Sequence, residues 1–125
     1  MILFKSISLV LTKQKKLPTY FNLKKITIAG INIINGIPYK HYKYLSIGYG
    51  PGGIEHLNST VISFRSKHFL AAPETRFRNY KLLAHEYFHH YNVKRIRPVE
   101  LGPFDYSGPN YTKLLWFAEG VTEYY

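Results

Sequence analysis

The chain reads as an α+β fold, and three observations say so. Its first half carries short runs rich in β-branched and aromatic residues, separated by Gly, Pro and Asn signals. Its second half carries two long stretches with helical signals, residues 73–92 and 110–125. Strands followed by helices in one chain of 125 residues suit a single α+β domain.

The elements follow in order. The opening "MILFKSISLVLTKQKK" is apolar but broken by Lys5. No apolar run of about 18 residues follows, so no membrane span is expected. A small-residue cleavage site is also lacking, so no clear signal peptide is read and the compartment is left open. Residues 1–24 stay unassigned. "KITIAGINII", residues 25–34, is β-branched and predicts a strand. "NGIPY" is a turn by its Asn-Gly and Pro. "HYKYLSIGY", residues 41–49, predicts a second strand. "GYGPGG", residues 48–53, predicts a loop with unusual backbone angles. "STVISF" predicts a third strand, with Ile62 and Phe64 on one face and Val61 and Ser63 on the other.

Pro73 and Glu74 suit a helix's first turn: proline has no N–H to lose, and the carboxylate faces the positive end of the dipole. No Gly or Pro interrupts before Asn92, which predicts one helix of about five turns. Pro98, Gly102, Pro103, Gly108 and Pro109 mark a long connection. Asn110 is placed to cap a last helix, "NYTKLLWFAEGVTEYY". Two helices and three strands would cover Leu114, Leu115, Trp116 and Phe117 only in part. The chain is therefore expected to be shorter than its fold.

Composition narrows the chemistry. Aromatics make up 17%, with 12 Tyr and 8 Phe, so the core should be aromatic and the chain ordered. The formal charge is +10, concentrated around residues 13–25 and 94–97. A basic surface attracts anions without selecting among them. A nucleic-acid interface built on Lys94, Arg95 and Arg97 lacks any recognised module, so a solvated face is the expectation. There is no Cys, so any metal must be held by His, Asp, Glu or backbone.

"LLAHEYFHHYN" places His85, Glu86 and His89 in an H-E-x-x-H pattern. On a helix, residues four apart share a face, about 6 Å apart. Two imidazoles there can converge on one Zn²⁺ at about 2.1 Å each. Glu86 is rotated about 100° from His85 and can instead take a proton from water at the metal. Chance alone gives this pattern in about one such chain in a hundred, so a helix with solvated histidines stays in view. His90 fits that solvated reading, being about 100° from His89.

A zinc enzyme of this kind needs a third protein ligand and an open position. No histidine follows at a matching spacing, since Asn92 and Arg95 occupy those places. Glu100 sits in a loop, where a solvated charge is expected. Glu119 sits among apolar neighbours, where an unpaired carboxylate would be costly and a metal would remove that cost. Gly120 should permit close backbone approach. Glu123 lies one turn on; it either orients a liganding imidazole or is a solvated carboxylate.

"HEYFHHYNVKRIRP", "LGPFDY", "NYTKLLWFAEGVTEYY" and "GGIEHLNST" together resemble the M61 glycyl aminopeptidase family, a branch of the gluzincin zinc peptidases. The resemblance implies a thermolysin-like catalytic domain. It implies one Zn²⁺ per chain on His85, His89 and Glu119, with Glu86 as general base. It likens "GGIEH" to an exopeptidase motif: Glu55 would grip a substrate's free α-amine, and Gly52 and Gly53 would bring the backbone close. Members of the family are several times longer. Residues 25–125 would then be a partial domain lacking the C-terminal helical lobe, with the missing part of a split or truncated enzyme as a conceivable partner.

Three functions compete on this reading. One is a zinc aminopeptidase acting on peptides with a free N-terminus. Another is a truncated, inactive fragment that binds metal or a partner. The last is a basic nucleic-acid binder.

Overall fold

The computed structural model describes residues 7–10, 16–64 and 72–125. Four strands and three α-helices follow one another: β1 (Ile7–Val10), α1 (Lys16–Ile34), β2 (Tyr42–Tyr49), β3 (Gly53–Glu55), β4 (Ser59–Phe64), α2 (Pro73–Phe88) and α3 (Leu115–Tyr124). A short 3-10 turn, Val99–Leu101, lies in the connection before α3. The architecture is α+β. The sheet runs β1-β2-β4-β3, with β1, β2 and β4 parallel and β3 antiparallel at the edge.

The largest departure from expectation is α1. Residues 25–34 are helical, not a strand, and the helix begins before them. Their β-branched residues hide a helical period: Leu23, Thr27 and Ile31 are buried and recur every four residues. Thr27 donates its hydroxyl to the carbonyl oxygen of Leu23, one turn back, at 2.9 Å. Gly30 lets Tyr87 close in, since a Cβ there would lie 2.8 Å from the ring. Helix propensity is a weak preference that a packed face overrides. The boundary drawn between residues 24 and 25 falls inside this helix.

Other expectations hold. β2 and β4 form where alternation and β-branching place them. Thr60, Ile62 and Phe64 are buried on one face of β4, and Val61 and Ser63 are only half-buried on the other. The segment expected to be loop also contributes β3, which starts just after Gly52 at φ 88°. The core is aromatic: Tyr42 and Tyr44 from β2 and Tyr87, Phe88 and Tyr91 from the α2 end meet Leu23, Ile62, Phe64 and Leu83. Buried phenols are hydrogen-bonded, Tyr42 to Thr60 at 2.6 Å and Tyr44 to Thr27 at 3.1 Å, as burial of a polar group requires.

Both long helices are shorter than predicted. α2 ends at Phe88, and the chain then tightens: Tyr91 N–H donates to Phe88 at 2.9 Å, a three-residue step. Val93 follows at φ 128°, which stops any helix. α3 begins at Leu115, not at Asn110. Asn110 instead folds back on the connection, donating to the Asp105 carbonyl oxygen at 2.6 Å. Among the described residues no helix is long and apolar enough to cross a membrane.

Candidate metal centre

α2 carries His85 near its end, and His89 caps it, so the four-residue spacing survives the helix terminus. α3 brings Glu119 against both. His85 Nε2 lies 3.0 Å from His89 Nε2 and 3.2 Å from Glu119 Oε2, and His89 Nε2 lies 3.6 Å from that oxygen. Ligands about 2.1 Å from a tetrahedral zinc stand about 3.4 Å from one another, so this triangle has the right size. His89 Nδ1 is 3.0 Å from the carbonyl oxygen of Asn92, an atom that can only accept, so Nδ1 carries the proton. That leaves the Nε2 lone pair facing inward. His85 Nδ1 is buried without a hydrogen-bond partner among the described residues, 3.3 Å from the Glu123 carboxylate. Three potential ligand atoms therefore converge, and a cation between them would draw on all three. The donor set of two imidazoles and a carboxylate fits zinc.

Glu86 lies beside this triangle and is 7% exposed. Burial pushes its carboxyl up to about 7, with Glu55 and Glu119 adding to the rise and His89 opposing it. It is held between α2 and β3: a Cβ on Gly53 would lie 2.7 Å from Glu86 Cγ. Strand alternation turns Gly53 and Glu55 toward this side and Ile54 to solvent. Glu55 is half-buried and lies 3.1 Å from Lys94 Nζ. Burial tends to raise the Glu55 carboxyl; hydrogen bonds to its own backbone and to Lys94, with the nearby charges, outweigh that and bring it below its usual value.

Several expectations change here. Glu119 is exposed, with 59% of its side chain open to solvent, so burial is not what makes it a ligand candidate. Its apolar neighbours Leu115 and Trp116 are exposed as well. Gly120 has nothing within 4 Å of where a Cβ would be, so it serves no close approach. Gly52 has equally open surroundings and is used for its positive φ. His90 is fully buried, not solvated; its ring packs among Tyr39, Tyr42, Tyr87 and Tyr91, and its Nδ1 donates to the Tyr87 carbonyl oxygen. Glu123 pairs with Lys81 as well as approaching His85. Glu100 is exposed, as expected.

The structure adds residues that sequence reasoning missed. Asn92 donates to the Ala118 carbonyl oxygen at 2.9 Å and to Thr122 Oγ1 at 3.1 Å, tying the end of α2 to α3. Thr122 Oγ1 is also 3.3 Å from His89 Nδ1. A polar residue three positions after His89, where a helix runs out, was the available signal. The cations once considered for nucleic acid are engaged internally. Arg95 donates to the carbonyl oxygens of Leu57, His90 and Pro38, and Arg97 to that of Lys94.

Residues 78–125 match the family model of the M61 glycyl aminopeptidases. The crystal structure of an aminopeptidase N family protein from Idiomarina loihiensis superposes with a TM-score of 0.76 at 33% identity. That match covers 93% of this chain and 22% of the other, so the chain spans about a fifth of its relative's length. No curated protein matches. The residues matched by the family model include both histidines and the glutamate of the converging triangle, and over residues 78–125 the chain is similar to the M61 glycyl aminopeptidases.

Proposed function

We propose that the chain carries the zinc-binding and proton-transfer half of a peptidase site, of aminopeptidase type. His85, His89 and Glu119 would hold the metal, and the observation that carries this is their convergence, with all three ligand atoms within 4.8 Å of one another. When bound, zinc supplies Lewis acidity that polarises a peptide carbonyl and acidifies water. Glu86 accepts and returns a proton at its carboxylate, which burial in the metal-free site pushes up to about 7, near the pH where a general base works best. Asn92 orients His89 through its carbonyl oxygen, and Glu123 orients His85. Glu55 offers a carboxylate to a substrate's α-ammonium, and Gly53 gives Glu86 its room. The family and the structural neighbour both support a peptidase. Aminopeptidase specificity rests on Glu55, since a blocked N-terminus offers that carboxylate no cation.

A second reading is metal binding without turnover. It is favoured by the openness of the α3 side of the site, where Glu119 and Trp116 face solvent. One experiment separates the two. Metal content is measured for wild type and His89→Ala, and hydrolysis of matched free and N-acetylated peptides is measured for wild type. The first reading expects one zinc, lost in the variant, and cleavage of the free peptide in preference. Zinc without cleavage of either peptide selects the second reading. Equal zinc in both proteins removes both.

A further inference from the structure

We propose that Lys94 is a built-in stand-in for the substrate's ammonium group: it holds Glu55 in the resting chain and must release that carboxylate before an α-amine is bound. The inference rests on the peptidase reading above and deepens it. Lys94 Nζ lies 3.1 Å from Glu55 Oε1, and the two side chains are only 21% and 22% exposed. This is not a freely solvated surface pair. A lysine ammonium and a peptide's α-ammonium are the same chemical group, a compact cation with three N–H donors. Each makes the same bond to Glu55, so they compete.

The backbone places Lys94 for this. It follows Val93 at φ 128°, a conformation that β-branched residues avoid, and such strain persists where the surroundings enforce it. The turn is pinned by Lys94 N–H to the His89 carbonyl oxygen at 3.1 Å and Val93 N–H to that of Ile96 at 2.9 Å. Thus the residue that leaves the metal-ligand helix also plugs the amine anchor. In the same position Lys94 Nζ lies 5.0 Å from the centroid of the half-buried Phe104 ring, within cation–π range, so the ring offers the ammonium a second contact beside Glu55. Arg97 shares that ring at 4.7 Å, so like charges meet there and press Lys94 toward Glu55. An arriving ammonium shifts that balance. A neutral or acetylated N-terminus cannot replace the cation that Glu55 already has. The strength of the internal pair therefore sets how tightly a free amine is held, because apparent affinity falls with the fraction of Glu55 that is available.

The test titrates the 125-residue chain with glycinamide, which has a free α-amine beside an amide, and with N-acetylglycinamide. Binding is followed by NMR shifts in wild type, Lys94→Met, Lys94→Arg and Glu55→Gln. If Lys94 occupies Glu55 about nine-tenths of the time, Lys94→Met binds glycinamide about tenfold more tightly. Lys94→Arg binds it no better than wild type, since guanidinium also pairs with the carboxylate. N-acetylglycinamide gains nothing in any variant. Equal or weaker glycinamide binding in Lys94→Met overturns the proposal, as does no binding in either protein. A different outcome strikes the underlying reading: glycinamide binding that survives Glu55→Gln means that Glu55 is no amine anchor.

Discussion

Glu86 and His90 show how one cause, burial, sets two residues in opposite directions. Burial disfavours charge, so it pushes the Glu86 carboxyl up to about 7 and, with Arg95 nearby, the His90 imidazole down to about 4. For Glu86 the outcome is chemical. Glu86→Gln keeps the shape and removes the base, so zinc content should be unchanged while peptide hydrolysis falls by about 10²–10⁴-fold. Full turnover in that variant would give Glu86 another role. For His90 the outcome is stability. Its folded value is depressed from 6.5, so above pH 6.5 neither state binds the proton and the contribution is whole. As pH falls from 6.5 toward 4, the unfolded chain takes up a proton that the folded chain refuses, and stability is lost. The loss is about 3 kcal/mol when complete. Metal-free wild type should therefore lose more melting temperature between pH 7 and pH 4.5 than His90→Phe does. An equal loss would place the acid sensitivity in other groups.

Elements assemble the site through the junction of α2 and α3. Asn92 supplies its amide to Ala118 and Thr122 and its carbonyl to His89, so it fixes both the helix that holds Glu119 and the tautomer of a histidine. Asn92→Ala leaves buried acceptors without a donor and should lower stability by about 1–3 kcal/mol. It should also weaken zinc binding, read by competition with a chelator, because Glu119 would no longer be held against the histidines. Unchanged affinity would make the junction a packing feature only. The grouping of His85, His89 and Glu119 was legible because four-residue spacing is local and the choice of acids was small. β2 and β4 were legible from a period of two. α1 was not, because its β-branched residues outvote a four-residue period whose partner, Tyr87, lies far along the chain. The end of α2 was hidden too: the chain tightens after Phe88 and breaks away at Val93, at positive φ, where no glycine announces the break. The exposure of Glu119 was misjudged for a related reason, since burial of α3 depends on what packs over it, not on its own neighbours in sequence.

At the scale of the whole molecule, an apolar helix face opposes a large net charge. α3 packs inward through Ala118 and Thr122, while Trp116 is 69% and Tyr124 81% exposed, with Leu115, Phe117 and Tyr125 open beside them. Such a cluster favours association. The net charge of +10 resists it, because two copies repel before their apolar faces meet. The two effects differ in range and in their response to salt. Repulsion between exposed charges acts over the Debye length, about 30 Å at 0.01 M and about 8 Å at 0.15 M, whereas apolar contact is short-ranged and is not screened. The chain should therefore sediment as a monomer at low ionic strength and associate as salt is raised at fixed concentration. Trp116→Lys, which removes the most exposed large ring near the start of α3 and adds a charge, should keep the chain monomeric at the higher salt. Its zinc content should match wild type, since Trp116 contributes no ligand atom to the converging group. A wild-type monomer at every salt concentration would show that this face does not drive association. Association that weakens as salt is added would mean that charge pairing, not apolar contact, holds the copies together.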